Sequence, residues 1–242
     1  ATNYGSEFPA KEIHIIASAT FGDRSPIGLV KSAGRLATGF VQSLALVRRL
    51  RPVAAIGFGG YPTLPPLLAA SLLGRPTLIH EANAVMGRAN RFLAGRVSAI
   101  ATSFADTGLM GEGGAKAAVT GNPVRPRVIA AVSPYQAPVD GEKLRLMVFG
   151  GSQGARVFAD LVPPALEALS PALIGRLKLV QQVRSEDVDR VAAVYGRLGL
   201  DYEIAPFFTD LPERMAGSHL VVCRSGASSV AELTVIGRPS IL

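Results

Sequence analysis

Tryptophan is absent from the 242 residues, aromatic side chains make up 6%, and cysteine occurs once. The single thiol, Cys223, excludes an intrachain disulfide and fits a reducing compartment. No apolar run approaches the roughly 20 residues that cross a bilayer, and no signal peptide is recognisable. The chain opens on Ala1 rather than Met and closes on Ser240-Ile241-Leu242, which reads as the start of a strand; both ends are expected to be cut from a longer protein. No G-x-x-x-x-G-K-[ST] sequence exists, which excludes a P-loop at the motif level, and Pro62 stands where a dinucleotide fingerprint beginning at Gly57 needs its third glycine. Negative charge is scarce between residues 24 and 100. There Glu81 is the only acid among Arg24, Lys31, Arg35, Arg48, Arg49, Arg51, Arg75, Arg88, Arg91 and Arg96, in a chain of net charge +7. Such one-sided charge calls for an anionic partner. The shortage of aromatic rings and the lack of any RNA- or DNA-binding motif argue against nucleic acid.

What is present is a well-packed globular composition, 48% hydrophobic and 18% charged. Short continuous apolar runs mark strands buried on both faces: Ile13–Ile16, Val53–Ile56, Thr77–Ile79, Ser98–Ala101, Leu144–Phe149, Leu177–Val180, Asp201–Ile204, Leu220–Val222 and Pro239–Leu242. Helical periodicity fills the intervals, roughly 27–50, 64–73, 85–94, 155–169, 186–198, 210–217 and 226–236. Alternation of the two predicts α/β architecture with doubly wound parallel sheets. Gly-Gly turns after Phe58 and Phe149 recur at matching places in the two halves. They point to two Rossmann-like domains, 1–138 and 139–242, around a cleft, with the later part of the Pro-rich stretch 122–141 as linker.

The sharpest motif runs from Cys223-Arg224-Ser225-Gly226-Ala227 to Glu232, after a strand and into a helix. Free backbone N–H groups at Ser225 and Gly226 suit a phosphate. A carboxylate one and a half turns further in suits a sugar diol. Gly150-Gly151-Ser152-Gln153-Gly154 reads two ways. It is a phosphate-binding turn using Gly151, Ser152, Gln153 and Gly154, or a G-x-S-x-G nucleophile elbow with Asp210 and His219 in the order a serine hydrolase needs. His80-Glu81-Ala82-Asn83 follows a strand, where His80 and Glu81 could do acid–base chemistry and Asn83 could cap the next helix. No third metal ligand accompanies them, so neither a structural metal nor a cofactor is expected. Asp187-Val188-Asp189, a pattern that holds a metal in some sugar transferases, falls in the first turn of a helix that Ser185 is expected to cap. Residues 25–51 mix apolar and basic side chains without one acid, which suits an anionic membrane surface or an ordinary core helix.

Five motifs stand in one order: Gly57-Phe58-Gly59-Gly60-Tyr61, His80-Glu81-Ala82-Asn83, Gly121-Asn122-Pro123-Val124-Arg125, Gly150-Gly151-Ser152-Gln153-Gly154-Ala155-Arg156, and Cys223 through Glu232. Together they closely resemble the MurG family of bacterial N-acetylglucosaminyltransferases, from about Val53 to Leu242 and more faintly before it. The resemblance implies a GT-B fold. It implies inverting, metal-independent transfer of N-acetylglucosamine from UDP-N-acetylglucosamine to undecaprenyl-pyrophosphoryl-muramyl-pentapeptide (lipid I), and a peripheral place on the cytoplasmic face of the bacterial plasma membrane. Carried over by motif, Asn83, Arg125 and Ser152 contact the donor; Ala227, Ser228, Ser229 and Val230 present backbone groups to it; Glu232 holds the ribose; and the backbone of Phe208 reads uracil. Ala82 stands where the family has Gln, and Ser228-Ser229 where it has Leu-Thr. The family's Gly-rich loop ending in His, linked to the acceptor pyrophosphate and the general base, has no counterpart in the chain, nor has its donor-sugar loop with Gln. The base is therefore unassigned, with His80 and Glu81 the candidates present, and the 242 residues alone are expected to be nearly inactive. A serine hydrolase and a non-catalytic nucleotide-sugar-binding module are the alternatives.

Overall fold

The computed structural model describes residues 10–19, 25–151 and 156–242. Two compact units meet in the chain at Gly121 and Asn122. The first contains α1 (Pro26–Leu50), β1 (Ala55–Gly57), α2 (Leu64–Leu72), β2 (Thr77–Glu81), α3 (Arg88–Ala94), β3 (Ala99–Thr102) and β4 (Ala117–Val119). Its sheet runs β1-β2-β3-β4, every pair parallel, with Ile79 opposite Ile100. Both residues are buried, among Leu67, Met86, Leu93 and Val97.

α1 starts where the Ser25 hydroxyl accepts the Gly28 N–H and Pro26 presets the first turn. Its buried face is made of small residues: Gly28, Ser32, Gly39 and Ser43, then Val47. Gly39 is obligatory, because a Cβ there would lie 1.9 Å from the Ala17 carbonyl oxygen. The larger apolar side chains divide. Phe40 and Leu44 pack against Ala69 and Ala70, while Ile27, Val30 and Val41 remain 65–73% exposed. On a helix of 3.6 residues per turn these three share the outward face with Lys31, Arg48 and Arg49.

The second unit contains α4 (Pro126–Ala130), β5 (Leu144–Phe149), α5 (Arg156–Glu167), α6 (Pro171–Gly175), β6 (Leu177–Gln182), α7 (Val188–Arg197), β7 (Asp201–Ala205), α8 (Leu211–Gly217), β8 (Leu220–Cys223), α9 (Ala227–Ile236) and β9 (Ser240–Ile241). The order β7-β6-β5-β8-β9 is parallel throughout. One side of the sheet is closed by a cluster around Leu179, Val191 and Tyr195, the other by Met147, Phe149, Met215, Val221, Leu233 and Ile236. Successive strands leave β5 in opposite directions, so the switch in strand order falls between β5 and β8.

Several expectations change. The first unit ends at 121, not 138, because the Pro-rich stretch belongs to the second: Pro126 opens α4, and Val128 is fully buried against the α9 side of that core. Ile13–Ile16 forms no strand among the described residues, since no neighbouring backbone supplies a ladder; Ala17 N–H instead donates to the Gln42 side chain at 2.8 Å. Asn83 caps no helix, as α3 begins five residues later behind Gly87. Nor does Ser185 cap α7, whose N-cap is Asp187. Asp187 is buried and accepts from Arg190 at 2.8 Å, and Arg190 also holds Asp160 at 2.7 Å, an ion-pair arrangement at a helix start.

Candidate functional site

In open parallel sheets, ligands bind outside the carboxyl ends of the strands at the point where strand order reverses. In the second unit that point lies between β5 and β8. Gly151 leaves β5 at φ 81°, a left-handed turn that favours glycine. Ser152, Gln153 and Gly154 lie outside the described residues. From β8 the chain makes a tight turn at Ser225-Gly226, with Gly226 N–H bonded to the Arg224 carbonyl at 2.8 Å. Gly226 is the N-cap of α9 and offers no side chain to it. The first intrahelical bond runs from Val230 N–H to Gly226 O, so the N–H groups of Ala227, Ser228 and Ser229 precede the helical ladder and face outward from its end.

Glu232 lies further along α9, its side chain 12% exposed. Arg125 meets it with a two-pronged ion pair, Nε to Oε1 at 2.9 Å and Nη2 to Oε2 at 3.1 Å. Asn122 adds a bond from its amide to the Ala227 carbonyl at 3.1 Å. Arg125 and Glu232, both expected to face a ligand, are thus partners of each other.

The loop after β7 carries Phe208. Its ring is buried beneath the Arg214 guanidinium, 4.4 Å from centroid to Cζ. Arg214 is itself clamped by Glu203 at 2.7 and 2.8 Å and by Asp210 at 2.8 Å. A buried ring under a clamped guanidinium restrains the backbone that carries it. Phe207 beside it is exposed.

In the first unit a cleft of about 450 Å³ lies at the carboxyl end of β2, lined in part by Phe58, His80, Glu81, Ala82, Asn83 and Asn90. His80 and Glu81 are the last residues of β2, rather than a loop after it. Glu81 is 2% exposed and accepts four hydrogen bonds: from Asn83 N–H at 3.0 Å, Asn83 Nδ2 at 2.9 Å, Gly87 N–H at 2.9 Å and Asn90 Nδ2 at 2.9 Å. Burial pushes its pKa up, but those four donors outweigh burial and hold it below the ordinary carboxylate value. A carboxylate so committed is a weaker proton acceptor than a free one. His80 Nε2 is 2.9 Å from the Gly121 carbonyl and must donate to it, with the Phe58 ring 5.9 Å away. Asn83 is exposed, and no hydrogen bond among the described residues uses its amide oxygen.

The other two residues of the hydrolase reading are described. His219 is level with the start of β5, giving its N–H to the Arg145 carbonyl at 2.8 Å and accepting the Arg145 N–H on Nδ1 at 3.0 Å. Phe149, the last residue of β5, lies four residues or roughly 13 Å along the strand from Arg145. Asp210 is engaged by Arg214.

Asn90, Asn122 and Arg214 were not expected in the site. Asn90 offered one signal: a short polar amide, a poor helix former, between Ala89 and Arg91 in α3. Arg214 offered its i,i+4 spacing from Asp210, and Asn122 stood in the Gly121–Arg125 motif although its partner Ala227 is distant in the chain.

Models of the glycosyltransferase family 28 N-terminal domain and C-terminal domain match residues 6–102 and 145–242. The chain is 58% identical to the UDP-N-acetylglucosamine--N-acetylmuramyl-(pentapeptide) pyrophosphoryl-undecaprenol N-acetylglucosamine transferase of Rhodopseudomonas palustris, covering 100% of this chain and 67% of that one. Among solved structures, Acinetobacter baumannii MurG is similar at 27% identity and a TM-score of 0.65, over 86% of this chain and 57% of that one. The glycotransferase of kitacinnamycin shares the fold at 15% identity and a TM-score of 0.63, over 93% and 66%. The chain spans about two thirds of the length of the curated relatives it matches. Its two parallel-sheet α/β units are of the GT-B type.

Proposed function

The chain belongs to glycosyltransferase family 28, and from that membership we propose that it acts in peptidoglycan synthesis. It transfers N-acetylglucosamine from UDP-N-acetylglucosamine to the muramyl 4-hydroxyl of undecaprenyl-pyrophosphoryl-muramyl-pentapeptide. The observation that carries this reading is a low-exposure carboxylate, Glu232, set behind the uncapped N-terminus of α9 at the strand-order switch. The helix end takes the diphosphate, Glu232 takes the ribose hydroxyls, and the backbone at Phe208 takes the uracil edge. As the bond from sugar to diphosphate breaks, negative charge grows on the leaving UDP, and fixed N–H dipoles already point at it. Asn83, with its amide oxygen available and its orientation set by Glu81, suits the sugar.

The test is transfer of radiolabel from UDP-N-acetylglucosamine to the lipid-linked acceptor. Extended to the length of its relatives, the chain is expected to label the lipid; the 242 residues alone are expected to transfer little. Binding of UDP-N-acetylglucosamine with no transfer by the extended protein would favour a binding module. Comparable transfer by both would place the base among the residues present, with His80 first to examine.

The acceptor is lipid-linked, and the outward face of α1 fits a membrane surface. Ile27, Val30 and Val41 are exposed beside Lys31, Arg48 and Arg49, while the core contact is made by small residues on the opposite face. Among the described residues no helix is long and apolar enough to cross a membrane. The exposed apolar and basic face supports peripheral docking on an anionic leaflet, and family membership supports the cytoplasmic side of the plasma membrane. Replacing Arg48, Arg49 and Arg51 by Gln is expected to weaken sedimentation with phosphatidylglycerol vesicles by about 1 kcal/mol per charge, and added salt to do the same. Equal sedimentation of variant and parent would sink this surface.

A further inference from the structure

We propose that Arg214 is a positioning residue for base recognition: by holding the Phe208 ring, it keeps in place the backbone N–H and carbonyl that tell uracil from cytosine. This rests on the reading of Phe208 as the residue whose backbone meets the base.

Phe208 combines a buried ring with an uncommitted backbone. No hydrogen bond among the described residues uses its N–H or its carbonyl. A donor and an acceptor on one residue complement a uracil edge, where O4 accepts and N3–H donates. Cytosine reverses both, with an N4 amine that donates and an N3 that accepts. Rejection of cytosine then depends on the backbone keeping its place, because a loop that can shift relieves the mismatch. The loop from Pro206 to Asp210 is held at its two ends. At the first, Gln182, buried at the end of β6, gives its amide to the Pro206 carbonyl at 3.1 Å. At the other, Arg214 of α8 donates Nε to Asp210 Oδ1 at 2.8 Å and lays both Nη atoms on Glu203 of β7, at 2.7 and 2.8 Å. Those three bonds leave the planar guanidinium one orientation, and in it Cζ lies 4.4 Å from the Phe208 ring centroid. Arg214 therefore ties β7, the start of α8 and the Phe208 ring into one unit, while the neighbouring Phe207 ring stays exposed.

Calorimetry on the full chain with UDP and CDP as probes tests this. Arg214→Ala is expected to weaken UDP binding about fivefold and CDP binding less than twofold, so that the preference for UDP falls. In a Phe208→Leu background, which has no ring to hold, the same substitution should change that preference less than twofold. Glu203→Gln, at a side chain 53% exposed, loosens the clamp and should lower the preference about twofold; it carries the test if Arg214→Ala does not fold. Equal losses for UDP and CDP in Arg214→Ala, or an unchanged preference in Glu203→Gln, would overturn the proposal and leave Arg214 a structural residue only. So would a fall in preference as large in the Phe208→Leu background as in the parent, since Arg214 would then act on the base by another route. A parent protein that binds UDP and CDP equally well would instead overturn the uracil reading of Phe208 itself.

Discussion

Glu232→Ala is expected to weaken UDP binding by about 1–3 kcal/mol, roughly 5- to 150-fold, the range for losing hydrogen bonds to a charged acceptor. Glu232 has a side chain only 12% exposed, so its hydrogen bonds with ribose hydroxyls face little competition from water. Glu232→Gln should lose less, since one oxygen still accepts. Calorimetry with UDP decides the matter. Undiminished affinity in Glu232→Ala would take the residue out of the site, and the pair with Arg125 would then be a structural ion pair alone. Uracil contacts at Phe208 should be unaffected, so ligands lacking the ribose diol should bind parent and variant nearly alike.

The second large effect is on stability. Glu81→Ala should destabilise the first unit by about 3 kcal/mol or more, because deleting a buried acceptor strands several donors at 1–3 kcal/mol each. Those donors are the N–H groups of Asn83 and Gly87 and the amides of Asn83 and Asn90. Glu81→Gln keeps the volume but turns one acceptor into a donor facing donors, so it should cost most of the same. Because the folded protein holds the Glu81 pKa below its ordinary value, the contribution is complete above that value, 4.5, and is lost as pH falls through the lowered one. The gap in thermal stability between parent and Glu81→Gln should therefore be full near neutral pH and shrink only in acid below about 4.5. A gap that is independent of pH, or absent, would mean that the charge is not what organises the loop.

Much of the architecture is legible along the chain, because its signals are local. Short apolar runs bounded by glycine turns mark strands buried on both faces, and Leu144–Phe149 is found where expected. The turn before Ala227 shows a helix start in the residues themselves: a strand, then Ser-Gly, then helix formers up to the Gly237 cap at φ 70°. Net charge and the missing acids between 24 and 100 also belong to composition alone. The motif order was sufficient to indicate the family, since motifs at strand ends keep their spacing whatever the rest of the fold does.

What tertiary structure decided are the pairings across distance and the choice of face. Arg125 and Glu232 are 107 residues apart, and only the burial of Val128 against α9 brings their charges together. His219 follows Asp210 in the order a hydrolase needs, yet parallel pairing of β5 with β8 places it at the opposite end of the sheet from Gly151. Glu81 reads as a candidate base along the chain and becomes an anchor once α3 folds back and Asn90 reaches it. In α1 periodicity shows two faces but cannot say which is inward. The small residues won that place because the close approach of Ala17 to Gly39 leaves no room for a larger side chain, and Ile27, Val30 and Val41 are left facing out. Local propensity carries the elements, and long-range packing alone determines which charges meet.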